Sequence, residues 1–155
     1  MDKETFTTLV LQGEATLYRV AKAILRQEQD VEDAVQEGIL KAYKKRNTLK
    51  NKAYFQTWLV RIVINECYKT RRQQKSNVAL ETVENIPLAE GENYTDLYQA
   101  ISLLPPKIRL AVVLYYVEGY STLEIKEILK IPQGTVKSRL AKGRKSLKTY
   151  LKEGE

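Results

Sequence analysis

Residues 121–148 have the sequence STLEIKEILKIPQGTVKSRLAKGRKSLK, in which two helical patterns flank a break at 131–133. Ser121 and Glu124 have the spacing of a capping box, so the first helix should begin at Ser121. With about 100° of rotation per residue, the second helix gathers its apolar positions into one stripe. That stripe can pack on the first helix: Val136, Leu140, Gly143 and Leu147 against Ile125, Ile128 and Leu129. The stretch therefore predicts a helix-turn-helix.

The opposite face of this second helix is strongly basic. From Lys130 to Lys148 there are seven basic residues and no acidic one. Cations suit phosphates, and small or polar side chains near the start of a helix can approach base edges in a major groove. The pattern predicts a surface for duplex DNA, made by Lys137, Ser138, Arg139, Ala141, Lys142, Arg144, Lys145 and Lys148. The alternative, a cationic amphipathic surface helix, leaves the preceding helix and the turn unexplained.

A second unusual helix is predicted over 53–74. Most of its circumference is apolar, so its rear should be buried: Leu59, Val60, Val63, Ile64 and Cys67. The remaining stripe carries Tyr54, Trp58, Arg61, Asn65, Tyr68, Lys69 and Arg72. Aromatic rings beside cations and an amide suit unpaired DNA, because bases stack on rings and the phosphates pair with cations. The alternative is that Trp58 and Tyr54 are core residues, and for Trp58 alone the two interpretations have equal weight.

A third helix is predicted over 30–46, with Asp30 as its N-cap and Asp33 at the capping-box position. Its core stripe is Val31, Val35, Ile39 and Ala42, beside Gly38, which allows close helix approach. Its outward side chains are Asp33, Gln36, Glu37, Leu40, Lys41 and Lys44. An exposed leucine inside a ring of mixed charge is typical of a protein-docking site, although a single surface leucine is also common.

Both ends of the chain are helical in pattern. Further helices are predicted over 4–26, 94–103 and 106–117, so the sequence predicts an all-α protein of two small helical domains. Residues 76–93 lack a sustained period and predict a flexible linker. Net charge follows the same division: 15 − 9 = +6 over 1–75, 0 − 5 = −5 over 76–106, and 11 − 5 = +6 over 107–155. Two basic blocks favour two modules that face nucleic acid.

Composition excludes several function classes. The 155 residues include no histidine, one cysteine and seven isolated glycines, so a histidine-based triad, a histidine-ligated metal and a glycine-rich phosphate loop are all excluded. The longest apolar run, 110–117, is too short to span a membrane, and the N-terminus lacks the features of a secretory signal. We therefore expect a cytoplasmic protein that is not an enzyme and needs no cofactor or metal.

The assembled motifs resemble the extracytoplasmic-function (ECF) sigma factors of bacterial RNA polymerase. DVEDAVQEGILKAYKK (30–45) and FQTWLVRIVINECYKTRRQ (55–73) are similar to sigma region 2. LPPKIRLAVVLYYVEGYSTLEIKEILKIPQGTVKSRLAKGRKSL (104–147) is similar to region 4, and GTVKSRL (134–140) is its most specific part. The resemblance implies a region 2 domain over 1–75, a linker over 76–93 and a region 4 helix-turn-helix domain over 94–155.

The resemblance also implies partners and site residues. The coiled-coil clamp of the polymerase large subunit would be contacted by Asp33, Gln36, Glu37, Leu40 and Lys41. The −10 element would be melted and recognised as a single strand by Lys50, Asn51, Trp58, Arg61 and Asn65, with Lys69 and Arg72 on the same stripe. The −35 element would be held as duplex by Lys137, Ser138, Arg139, Lys142 and Arg144, with Lys145 on the same face.

Members of this family commonly have a membrane-bound anti-sigma partner, and no small-molecule substrate is implied. The chain departs from the family pattern at Lys126 (usually Ala), Lys130 (usually Gly) and Gly143 (commonly Arg). A helix-turn-helix transcriptional regulator without sigma activity is the alternative that the residues leave open.

Overall fold

The computed structural model describes residues 1–77 and 95–153, which form helices and no strand. The chain divides into unit 1 (Met1–Leu80) and unit 2 (Glu81–Glu155). Unit 1 contains α1 (Lys3–Ile24), α2 (Glu28–Lys44) and α3 (Phe55–Asn77); unit 2 contains α4 (Thr95–Ser102), α5 (Pro106–Val112), α6 (Thr122–Leu129) and α7 (Gln133–Glu153). The predicted all-α class and helices are confirmed. The predicted linker 76–93 lies outside the described residues apart from 76–77, where α3 ends.

The apolar rear of α3 holds unit 1 together by packing on α1 and α2. The side chains predicted to be buried there are all at most 2% exposed: Leu59, Val60, Val63, Ile64 and Cys67. Burial of one large aliphatic side chain stabilises a fold by about 1.5–3 kcal/mol. A Cβ on Gly38 would lie 2.7 Å from Val63 Cγ2 and 3.1 Å from Val63 Cα. The close approach predicted at Gly38 is therefore confirmed, and it requires glycine.

Cys67 is the single cysteine of the chain and faces the core of unit 1. Burial raises the pKa of its thiol to about 12, and the nearby charge of Glu66 acts in the same direction. Because the thiolate is the reactive form, the native thiol should be inert at neutral pH. Within residues 1–77 and 95–153, no three His, Cys, Asp or Glu side chains are grouped to hold a metal ion.

In the part of the chain that the structure describes, no helix combines the length and the apolarity needed to cross a membrane.

Of the two predicted helix caps, one is right and one is wrong. Ser121 Oγ accepts a hydrogen bond from the Glu124 backbone N–H at 3.1 Å, and Glu124 Oε1 accepts one from the Ser121 N–H at 3.0 Å. This capping box begins α6 as predicted. Helix α2 instead begins two residues before Asp30, after Gln27, which makes no side-chain cap. Only residues 25–27 connect α1 to α2, and Leu25 among them is buried.

The helix-turn-helix of unit 2 forms as the periodicity predicts. Val136 and Leu140 of α7 and Ile125 and Ile128 of α6 are all at most 3% exposed. Lys130 ends α6 with φ 55° and ψ 49°, the left-handed conformation that favours glycine. The turn therefore keeps the geometry of a helix-turn-helix although a lysine stands at the usual glycine position. Gln133 Nε2 donates to Thr122 Oγ1 at 2.9 Å and joins the starts of both helices.

A buried arginine closes the corner between α4 and α5. The Arg109 side chain is 2% exposed, and its Nη1 donates to the backbone oxygens of Ser102 at 3.2 Å and Leu104 at 3.1 Å. These carbonyls lie at the C-terminal end of α4, where the helix dipole favours a positive charge. Arg109 therefore stabilises the fold of unit 2 from inside.

Candidate nucleic-acid interface

The basic face predicted on α7 is present and lies on the side away from Val136 and Leu140. Of its six residues that were predicted to hold the −35 element, Arg139 is half-buried and the other five are exposed, namely Lys137, Ser138, Lys142, Arg144 and Lys145. One continuous helix, Gln133–Glu153, carries all six, so its regular geometry sets their spacing. The arrangement can neutralise phosphates along one duplex groove. Contact between these residues and DNA stays a prediction.

Position 143 belongs to the core and is no part of this face. A Cβ on Gly143 would lie 2.5 Å from Val112 Cγ2 and 3.3 Å from Ile108 Cγ2, both on α5. A long side chain at this position would push α7 off α5. Gly143 therefore removes no cation from the DNA-facing surface, because that residue points the other way.

Tyr116, which was not among the predicted DNA-binding residues, adjoins the basic face. Arg144 Nη1 donates to Tyr116 Oη at 3.1 Å, and the Tyr116 side chain is 49% exposed. Tyr116 is the last residue but one of the apolar run 110–117. It lies in the π-helical turn Val113–Val117, which follows α5.

The stripe predicted for single-stranded DNA also reaches the surface of unit 1. Asn65, Lys69 and Arg72 are exposed, whereas Trp58, Arg61 and Tyr68 are half-buried. The Trp58 ring lies 5.7 Å from the Phe55 ring, centroid to centroid, so one part packs on the core and the rest remains accessible. Tyr54 is 63% exposed but lies in a 3-10 turn before α3. The stripe combines rings, cations and an amide, as stacking on unpaired bases requires.

The loop before α3 is anchored rather than loose. Its predicted residues Lys50 and Asn51 are both exposed, and Asn51 Oδ1 accepts from the Ala53 N–H at 3.0 Å, which caps the turn Lys52–Tyr54. At the other end of the loop, the Arg46 guanidinium lies 4.0 Å from the Tyr43 ring centroid. These contacts hold Lys50 and Asn51 beside the start of α3, next to Tyr54.

The third predicted surface, on α2, is exposed except at Lys41. Asp33, Gln36, Glu37 and Leu40 face solvent, and Leu40 is 56% exposed. Lys41 Nζ instead pairs with Glu66 Oε1 of α3, whose side chain is 6% exposed. The hydrogen bond to Glu66 raises the pKa of Lys41 above its ordinary value. Lys41 was predicted to point outward to a partner; the structure shows that it also spans the junction of α2 and α3.

Two buried charges were missed, although the sequence contained a signal for each. Glu66 follows Val63 by three residues and Leu59 by seven, which places it on the buried stripe of α3. Arg109 is surrounded by apolar residues in 108–114. A charged side chain on an apolar face is buried only when it is paired or hydrogen-bonded. The sequence therefore indicates that each of these two side chains has a partner, but it does not identify the partner.

The chain matches two protein-family models. Residues 9–77 match the family model "Sigma-70 region 2", and residues 94–147 match "Sigma-70, region 4". The first match covers α1 beyond its second turn, α2 and α3. The second covers nearly all of unit 2 that the structure describes.

Whole-length relatives agree with the two matches. The chain is 30% identical to the ECF RNA polymerase sigma factor SigM of Mycobacterium tuberculosis, over 97% of this chain and 79% of that protein. It is also 30% identical to the ECF RNA polymerase sigma factor SigW of Bacillus subtilis, over 98% and 91%. The ECF RNA polymerase sigma-E factor of Salmonella typhimurium is 31% identical, over 94% and 86%.

Solved structures give the same result. The sigma factor RpoE of Bartonella quintana, in complex with the anti-sigma factor NepR, has a TM-score of 0.81 at 26% identity, over 96% of this chain and 98% of that one. CnrH, in complex with the cytosolic domain of CnrY, shares the fold with a TM-score of 0.73 at 21% identity, over 99% and 92%. Two matched sigma regions and relatives similar over nearly the full length establish that the chain belongs to the ECF sigma factors of bacterial RNA polymerase.

Proposed function

We propose that three surfaces of this sigma factor bind three different partners. The exposed face of α2 binds the core polymerase, the stripe of α3 with the preceding loop opens and recognises the −10 element, and the basic face of α7 holds the −35 element as duplex. One observation carries the proposal: two cationic faces of different chemistry lie in separate units. The α3 stripe contains Trp58 beside its cations, whereas 137–145 on α7 contains no aromatic residue.

The domain assignment follows from these three surfaces. We assign 1–75 to core and −10 binding, 94–155 to −35 binding, and 76–93 to the connection between them. The matches of 9–77 and 94–147 to separate sigma regions support these limits. An uneven charge supports them too, since the connecting stretch contains acidic residues and no basic ones.

The proposed partners rest on a solved relative and on the family resemblance. RpoE of Bartonella quintana was solved with an anti-sigma factor, which supports an anti-sigma partner for this chain as well. The family resemblance adds that such a partner is commonly membrane-bound. We further propose that the protein acts in the cytoplasm, where polymerase and chromosome meet, and that it has no catalytic step, cofactor or small-molecule substrate of its own.

Transcription with purified components tests the proposed function. Core polymerase from a bacterium would be incubated with this protein and fragmented genomic DNA, and the 5′ ends of the transcripts would be sequenced. We expect new start sites that share two upstream elements and that appear only when the protein is added. A regulator without sigma activity would change transcription only when another sigma factor is present, and that outcome would refute the proposal.

Leu40→Asp should weaken binding to core polymerase by at least about tenfold, since an apolar anchor at the centre of a polar rim can contribute about 2 kcal/mol to an interface. The measurement is a titration of labelled sigma factor with core. Leu11→Asp is the matched control, because Leu11 is 63% exposed on α1 and lies outside the proposed face. Equal affinities of the two variants would remove Leu40 from the docking surface.

Lys142→Ala should reduce the slope of log K against log salt for duplex DNA by about one, the expected loss for one phosphate contact. Fluorescence anisotropy at a series of salt concentrations gives the slope. Lys152→Ala is the control, because Lys152 is exposed in the last turn of the same helix. If the Lys142→Ala slope matches that of the unaltered protein, Lys142 does not contact a phosphate.

A further inference from the structure

The backbone after α5 turns two large rings toward solvent. A π-helical turn spans Val113–Val117 and is closed by a hydrogen bond from the Glu118 N–H to the Val113 oxygen at 2.9 Å. Such a turn takes one residue more than an α-helical turn and changes the direction of the side chains that follow. Tyr115 and Tyr116 are 37% and 49% exposed, although the residues before them are buried.

Of these two rings, Tyr116 contacts the basic face. Tyr116 Oη lies 3.1 Å from Arg144 Nη1, and the two residues are 28 positions apart in the chain. A phenol that accepts this hydrogen bond keeps its own O–H proton for a second acceptor. A guanidinium has five N–H donors, so further donors of Arg144 can face the same acceptor. Tyr115 packs edge-on against Tyr116, with ring centroids 4.8 Å apart, and steadies the ring.

The charge around this pair favours an anion. Lys137, Arg144 and Lys148 follow one another at intervals of seven and four residues, so they share one side of α7. Arg144 lies about 10 Å along the helix from Lys137, two turns beyond the residues placed to approach bases. Residues at that distance from the start of a recognition helix contact the backbone that borders the groove. The acceptor with the right charge and place is a DNA phosphate.

We infer that Tyr116 and Arg144 form a phosphate clamp for duplex DNA, in which Tyr116 positions the guanidinium and donates its own O–H to the phosphate. This inference rests on the proposed binding of duplex by α7 and adds to it a residue outside the helix-turn-helix. A preorganised guanidinium loses less side-chain freedom on binding, so the clamp strengthens a contact that Arg144 alone would make more weakly.

The clamp can be tested with the full-length protein and a labelled duplex of mixed sequence about 30 base pairs long, because a phosphate contact needs no promoter sequence. Tyr116→Phe keeps the ring and removes the hydroxyl; Tyr115→Phe is the matched control. We expect Tyr116→Phe to weaken binding about fivefold and Tyr115→Phe to leave it unchanged. Arg144→Ala should reduce the salt slope by about one, and Tyr116→Phe should have no further effect in that background.

The other possible outcomes each contradict either the clamp or the proposed DNA surface on α7. Unchanged affinity in Tyr116→Phe overturns the clamp, and so do additive losses in the double variant, since the two residues would then act separately. A lower urea midpoint for Tyr116→Phe with normal DNA affinity would assign the hydroxyl to stability and also overturn it. If Arg144→Ala and Lys142→Ala both leave the salt slope unchanged, the proposed DNA surface on α7 fails together with the clamp. A neutral Tyr116→Phe beside a damaging Arg144→Ala refutes the clamp alone.

Discussion

Arg109→Ala should lower the free energy of unfolding of unit 2 by about 4 kcal/mol. The substitution leaves a cavity, because Arg109 is 2% exposed, and it leaves the carbonyls of Ser102 and Leu104 without this donor. Each loss is costly by itself, since a buried polar group without a partner retains its full desolvation penalty. A loss of this size is a large part of the stability of a small domain, so unit 2 of the variant should unfold at a much lower urea concentration.

Urea titration can assign this effect to one unit. The single tryptophan, Trp58, lies in unit 1, so its fluorescence follows that unit, while far-UV circular dichroism follows both. We expect Arg109→Ala to shift part of the circular dichroism transition to a lower urea concentration. The midpoint of the Trp58 fluorescence transition should stay unchanged. Lys107→Ala, an exposed change on the same helix, should shift neither by more than about 0.5 kcal/mol. A loss below about 1 kcal/mol in Arg109→Ala would show that Arg109 is not needed at the corner.

Lys41→Met should lower the melting midpoint of unit 1 by about 10 °C, whereas Glu66→Leu should change it little. The asymmetry follows from exposure: the Lys41 side chain is 37% exposed and that of Glu66 is 6% exposed. Without Lys41, the Glu66 carboxylate stays buried and loses its ion-pair partner. Without Glu66, the ammonium group can turn into water. The double variant Lys41→Met/Glu66→Leu should recover most of the loss, because no charge is left inside.

Trp58 fluorescence during thermal unfolding measures this series, since Trp58 and Glu66 share α3. The hydrogen bond to Glu66 raises the pKa of Lys41 above its unfolded value of 10.5, so the stability from the pair is complete below that pH and is lost as pH rises through the raised value. The decrease of the melting midpoint in Lys41→Met should therefore be the same at every pH between about 6 and 9. Equal decreases of the melting midpoint in Lys41→Met and Glu66→Leu would refute the asymmetry.

The pairing of Lys41 affects how polymerase-binding variants are interpreted. A Lys41 substitution would disturb the packing of α2 on α3 as well as any contact with core. Leu40 is uncharged and 56% exposed, so Leu40→Asp is the cleaner test of the same face. A defect in Lys41→Met that disappears in the double variant would belong to stability.

Features that depend on neighbours within a few residues could be predicted from the sequence. The capping box of Ser121 and Glu124 spans four positions, and the stripe of Val136 and Leu140 spans five, so helical geometry alone places them. The prediction failed for Asp30, because an acidic residue is favourable both at an N-cap and in the first turn. In the structure α2 begins two residues earlier, and Asp30 lies in its first turn.

By itself the sequence determined the all-α class, the family, and which faces of α3 and α7 are apolar and which are basic, because these follow from periodicity within single helices. Tertiary structure alone decided where Glu66, Arg109 and Tyr116 find their partners, since Lys41, Ser102 and Arg144 lie on other elements. It also decided that Gly143, which the periodicity placed on the stripe facing α6, lies against Val112 of α5. Desolvation and close packing act between elements, and one helix considered alone does not contain them.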